Sequence, residues 1–151
     1  MRVSAKADYA IRAAVELAAA GDGPIKGDRI AAAQSIPSNF LENILADLRN
    51  AGIVSSRRGA EGGYWLARPA EEVSLADVIR AVDGPLANVR GVRSDQLEYD
   101  GSATALAEVW IAVRASLRSV LEQVSLAEVA RGALPDHVRE LAADPDAWAP
   151  H

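Results

Sequence analysis

Residues 36–69 read IPSNFLENILADLRNAGIVSSRRGAEGGYWLARP, and the change of rhythm within this stretch decides the fold. Pro37 disfavours helix in the residue before it, and Ser38 has the short hydroxyl suited to capping a new helix. From residue 39 to 51 the spacing predicts a helix with Phe40, Leu41, Ile44, Leu45 and Leu48 on one face and Asn39, Glu42, Asn43, Ala46 and Asn50 on the other. Gly52 ends it. Two short strands are then expected, 53–56 and 64–67, around a turn containing Arg57, Arg58, Gly59, Gly62 and Gly63. An isolated hairpin of this size is marginal in water, so it must lean on the helices before it.

Upstream, residues 4–20 place Ala10, Ile11, Ala14, Val15, Leu17 and Ala18 at helical spacing, with Ser4 as N-cap and Gly21 as stop. A shorter helix is expected at about 28–34. Downstream, Ser74 caps a helix over 75–83 with Leu75, Val78, Ile79 and Val82 inward. Residues 84–101 show no periodicity and read as an exposed connection. Beyond them Leu106, Trp110, Val113, Leu117, Val120 and Val124 alternate in steps of four and three, a seam of the kind that joins helices. Either the seam packs back on its own domain or it joins two copies of the chain; the expectation is a homodimer. A short helix ending near Gly132 and a proline-broken tail complete the chain. The division expected is 1–83, 84–101, 102–132 and 133–151.

Composition bounds the function. The chain has 151 residues, half of them hydrophobic and a quarter charged, no Cys and a net charge of -5. No apolar run approaches the roughly 20 residues that cross a bilayer, and the first twenty residues lack the unbroken apolar centre of a signal peptide, so a cytoplasmic protein without a membrane partner is expected. Up to Arg68 there are nine basic against seven acidic residues; beyond it, seven against fourteen. A mildly basic front on an acidic back permits a nucleic-acid-binding module with a separate oligomerising part. The two histidines, His137 and His151, lie near the end, and the chain has no Gly-x-Ser-x-Gly, phosphate loop or His-Glu-x-x-His, which argues against catalysis.

Three short helices followed by a hairpin make the winged variant of the helix-turn-helix, a mainly α fold with a small two-stranded β wing and a long dimerisation helix. There the second helix of the pair enters the major groove and the wing reaches an adjacent minor groove or the backbone. Asn pairs with adenine edges and Glu accepts from cytosine, so Asn39, Glu42 and Asn43 are chemically suited to double-stranded DNA. The Arg57-Arg58-Gly59 tip is basic and slim enough for a narrow groove of negative potential.

These stretches resemble the Rrf2-type winged helix-turn-helix repressors of bacteria, the group that includes the iron-sulfur-cluster regulator and the nitric-oxide-sensing repressor. The resemblance rests on the opening MRVSAKADYAIRAAVELA, on IPSNFLENILADLRNAGIVSS, and above all on RGAEGGYWLARP followed by VSLADVIRAVDG; it extends more loosely through the seam helix to VSLAEVA. It implies a homodimer reading a palindromic operator, with Ser38, Asn39, Glu42 and Asn43 on the base-reading helix and Arg58 in the minor groove. Arg2, Lys6 and Tyr9 correspond to positions near the DNA backbone, Tyr9 being equally suited to the core. Pro37 stands where relatives often carry a small hydroxyl residue. Sensing members hold an iron-sulfur cluster on three cysteines in the loop before the dimerisation helix, whereas here that loop contains Arg90, Arg93, Asp95, Glu98, Tyr99 and Asp100 and no Cys, so no cofactor or metal is expected. Arg90, Arg93 and Tyr99 are the expected contacts of an anionic effector, against internal pairing, a partner protein or a solvated linker. The alternative function is a dimeric interaction adaptor that has lost specific DNA binding.

Overall fold

The first helix is built almost wholly of small residues on its inner side, and that fixes the architecture. The computed structural model describes all 151 residues. Helix α1 (Ala5–Ala20) buries Ala7, Ala10, Ala13, Ala14 and Leu17, and α2 (Gly27–Gln34), α3 (Ser38–Asn50), α4 (Leu75–Asp83) and α6 (Leu126–Arg131) all pack against it. Alanines at the centre let several helix backbones approach one axis, and the larger Ile30, Ile44, Leu45, Leu48, Val54 and Val78 fill the space between. Ser4 caps α1 by accepting from the Ala7 N–H at 2.9 Å, and Gly21 ends it at φ 69°, as the sequence predicts.

Strands β1 (Val54–Arg57) and β2 (Gly63–Leu66) pair antiparallel, Val54 opposite Leu66 and Arg57 opposite Gly63. The hairpin leans on the body through Ile25, whose N–H and C=O both bond to Tyr64 at 2.8 Å. Helix α4 opens with a capping box between Ser74 and Asp77. The following segment, 84–101, is held rather than free: Leu86, Ser94 and Leu97 are buried, and the Ser94 hydroxyl donates to the Ala87 carbonyl at 2.6 Å.

Helix α5 (Leu106–Leu121) contains no fully buried residue. Its seam departs from the expected stripe at its end. It stops at Leu121, so Val124 lies beyond it, buried, with its carbonyl accepting from the Leu75 N–H at 3.0 Å. Trp110 donates its indole N–H to the Tyr99 hydroxyl of its own chain at 3.0 Å. A bridge between Ser74 and Ser125 then brings α6 back onto the first module, where Leu126 joins the common core. Helix α7 (Asp136–Ala143) returns to α5 through His137, whose Nε2 lies 3.0 Å from the Ser119 carbonyl oxygen.

Candidate nucleic-acid interface

The turn between α2 and α3 rests on Ser35, which adopts the left-handed conformation at φ 52°, and on Ile36, whose N–H returns to the Ala31 carbonyl at 3.0 Å. Ser38 is the first residue of α3 and makes no capping bond; the cap position falls on Pro37, whose carbonyl accepts from the Phe40 and Leu41 N–H groups. The hydroxyl of Ser38 therefore stays exposed at the positive end of the helix. Leu41, Ile44, Leu45 and Leu48 face inward as expected, but Phe40 does not: it is 53% exposed. At about 100° of turn per residue, the position before Leu41 swings to the rim of the buried face. Asn39, Glu42 and Asn43 are exposed together on the outer side, free of ion pairs, with only a long 3.4 Å contact from the Asn43 amide to the Asn39 carbonyl.

Two residues expected near the DNA backbone brace this helix. Lys6 pairs with Asp47 of α3 at 2.7 Å, and the half-buried Tyr9 ring lies 6.3 Å from Phe40 between centroids. Arg12 lies 4.9 Å from the Tyr9 ring centroid while donating to the Gln34 carbonyl at 2.6 Å. Arg2 lines a groove with Ile79, Leu117 and Leu121 on the α4–α5 side.

The wing is shaped by its glycines. A Cβ on Gly62 would meet the Arg57 carbonyl oxygen at 2.0 Å, and one on Gly63, at φ 146°, would meet the Ile25 carbonyl oxygen at 2.7 Å. Lys26, a residue to which local periodicity gives no clue, donates to the Gly59 carbonyl at 2.6 Å and ties the tip to the body of the domain. Arg49, equally silent in sequence, joins the end of α3 to β1 through the Ser56 hydroxyl at 3.2 Å. Arg57 folds back to donate to the Glu61 carbonyl at 3.2 Å. Arg58 is exposed and makes no hydrogen bond or ion pair, so it alone of the tandem presents an uncommitted guanidinium.

In the 84–101 segment the three effector candidates are engaged internally. Arg93 grips Asp95 through two bonds of 3.0 and 2.7 Å, and this donation holds the Asp95 carboxyl below its ordinary range. Arg90 lies over the Tyr99 ring at 5.9 Å, and Tyr99 in turn accepts from Trp110.

A polar recognition-type helix beside an arginine-tipped glycine wing defines a winged helix-turn-helix DNA-binding regulator. The chain belongs to the Rrf2 family, described as iron-dependent transcriptional regulators, whose model matches residues 3–132. Among its relatives is Rv1287 of Mycobacterium tuberculosis (strain ATCC 25618 / H37Rv), whose name places it among HTH-type transcriptional regulators; it is 58% identical over 145 residues, covering 95% of this chain and 90% of the relative. The HTH-type transcriptional regulator CymR of Bacillus subtilis (strain 168) is 33% identical over 131 residues, 86% of this chain and 90% of CymR. The solved structure of that CymR, described as the global cysteine regulator of B. subtilis, superposes with a TM-score of 0.74 over 87% of this chain and 97% of its own. T. potens IscR superposes with a TM-score of 0.71 at 36% identity, covering 88% of each chain. These relatives are regulators, and the chain is one as well, not an enzyme.

The residues here do not fit an iron-sulfur cluster. There is no cysteine anywhere in the chain, and no three His, Cys, Asp or Glu side chains converge. No helix is long and apolar enough to cross a membrane.

Proposed function

We propose that this chain is a homodimeric repressor that reads a palindromic operator from the bacterial cytoplasm, with residues 1–83 as the DNA-binding module. The observation that carries the reading is the exposed set Asn39, Glu42 and Asn43 beside the uncommitted Arg58. Two such surfaces related by a two-fold axis match half-sites about one helical turn apart, or multiples of that, which makes the operator palindromic. Asn39, Glu42 and Asn43 meet base edges, Ser38 and the slim Gly59 tip approach phosphates, and Arg58 enters the minor groove. Lys6 and Tyr9 act chiefly by fixing the angle of α3. Arg57 shapes the turn and Arg2 lies on the α5 side. Dimerisation uses the exposed side of α5, with Leu106, Val113 and Val120 from the seam. Leu117 lines the groove beside Ile79, and Trp110 and Val124 serve their own protomer. A small ligand at the loop within 84–101 controls DNA affinity.

Selection of bound sequences from a random duplex pool by the purified protein tests this. Enrichment of a palindrome, retained by a dimer and lost on changing Asn43 at one symmetric pair of positions, is the expected outcome. No enrichment from a folded dimer would leave the fold serving as a protein-interaction adaptor.

A further inference from the structure

Three arginines from three different segments line one recess of about 380 Å³. Arg80 comes from α4, Arg93 from the 84–101 loop and Arg114 from α5, and the remaining walls are Gly84, Pro85 and Leu86. Their charges are incompletely matched. Arg80 shares Glu122 with Arg118, at 2.5 and 2.9 Å, and Arg93 holds Asp95. Arg114 makes no ion pair of its own and reaches Asp95 only as a through-space charge. Four arginines, counting Arg118, thus stand against the two carboxylates Asp95 and Glu122. This local positive excess lies in the acidic back of a chain whose net charge is -5.

Guanidinium forks bind carboxylate and phosphate oxygens in pairs, and Asp95 already shows that geometry on Arg93. We propose that the recess binds a small dianion, a dicarboxylate or a phosphate monoester, gripped by Arg93 and Arg114 in place of Asp95, with Arg80 as the third lining arginine. The assignment deepens the proposed ligand control and rests on it for its regulatory meaning. Asp95 is then a built-in competitor. Its release frees the 94–96 turn that packs against α5, and the incoming ligand ties α4, the loop and α5 to a single body, which gives the two states different contacts with the ligand.

The test is calorimetric titration of the full-length protein, without DNA, with inorganic phosphate and separately with succinate, ionic strength being held with chloride. The expected result is saturation at one ion per chain by at least one probe, the one that saturates naming the ligand chemistry. Arg114→Gln should weaken binding tenfold or more. Asp95→Asn should tighten it about tenfold, because the fork no longer has to be vacated first. Arg93→Gln provides a second loss-of-binding variant should Arg114→Gln fold poorly by circular dichroism. Absence of saturation in both the natural chain and Asp95→Asn overturns the site, as does binding indifferent to both arginine substitutions. With no DNA in the cell, failure to find an operator leaves this result intact. A saturable site that leaves operator affinity unchanged would remove the ligand control and not the site.

Discussion

Arg58 and Gly62 lie four residues apart in the wing and fail in different ways when changed. Arg58→Ala removes one cation from an exposed position without touching the fold. Operator affinity should fall by about 1–3 kcal/mol, and the slope of affinity against salt should lessen by about one, measured by anisotropy across a salt series. Gly62→Ala drives a methyl group into the Arg57 carbonyl, so the turn must open. DNA binding should then drop sharply while helical circular dichroism is retained, because the wing contributes no helix. The glycines and Arg58 are legible in the sequence, since turn chemistry is local. Lys26 on Gly59, Arg49 on Ser56 and Lys6 on Asp47 are not: each joins residues brought together only by the tertiary fold, and a lysine on a solvated face looks the same in sequence whether or not it finds a carbonyl. Phe40 leaves the expected apolar face for a geometric reason, being one residue outside a four-leucine/isoleucine stripe that needs no fifth member.

Among the elements, the capped helices are the most legible because a cap is a motif of a few adjacent residues. Ser74 with Asp77, and Ser125 with Glu128, form complete capping boxes. Replacing Ser74 by Ala should cost about 1 kcal/mol in urea denaturation, most of it from the unpaired N–H of Asp77. The end of α5 is hidden from the sequence because the apolar spacing runs on to Val124, while the Ser74–Ser125 bridge pulls the chain out of the helix. At that end Glu122 accepts from Arg118 and Arg80, which together lower its carboxyl from the ordinary 4.5 to about 2. A carboxylate depressed in the folded state contributes stability above the unfolded value and loses it as pH falls through 4.5 toward about 2. The stability gap between the natural chain and Glu122→Gln, read as urea midpoints, should therefore be largest above pH 4.5 and close toward pH 2.

At the scale of the whole molecule, α5 has an apolar side with no partner in its own chain: Leu106 is 36% exposed and Val109, one turn further on the same face, 50%. Such a helix is normally paired. Val109→Glu should leave the protomer folded and yield a monomer by light scattering. Operator affinity should drop about a hundredfold or more, since two linked half-sites bind together far better than either does alone. The heptad spacing makes the apolar side of α5 legible, but not which members of the stripe remain exposed, since that depends on where the 84–101 segment and α6 settle. The position of α6 also bears on the order in which the protein becomes functional during its synthesis. Leu126 is fully buried in the common core, where α6 packs on α1, so the core that also carries α3 lacks one of its members until a residue more than forty positions past α4 has left the ribosome. At about 5–20 residues per second that delay lasts a few seconds. A nascent chain whose α6 has not yet been made therefore lacks the residue that completes the core around α1.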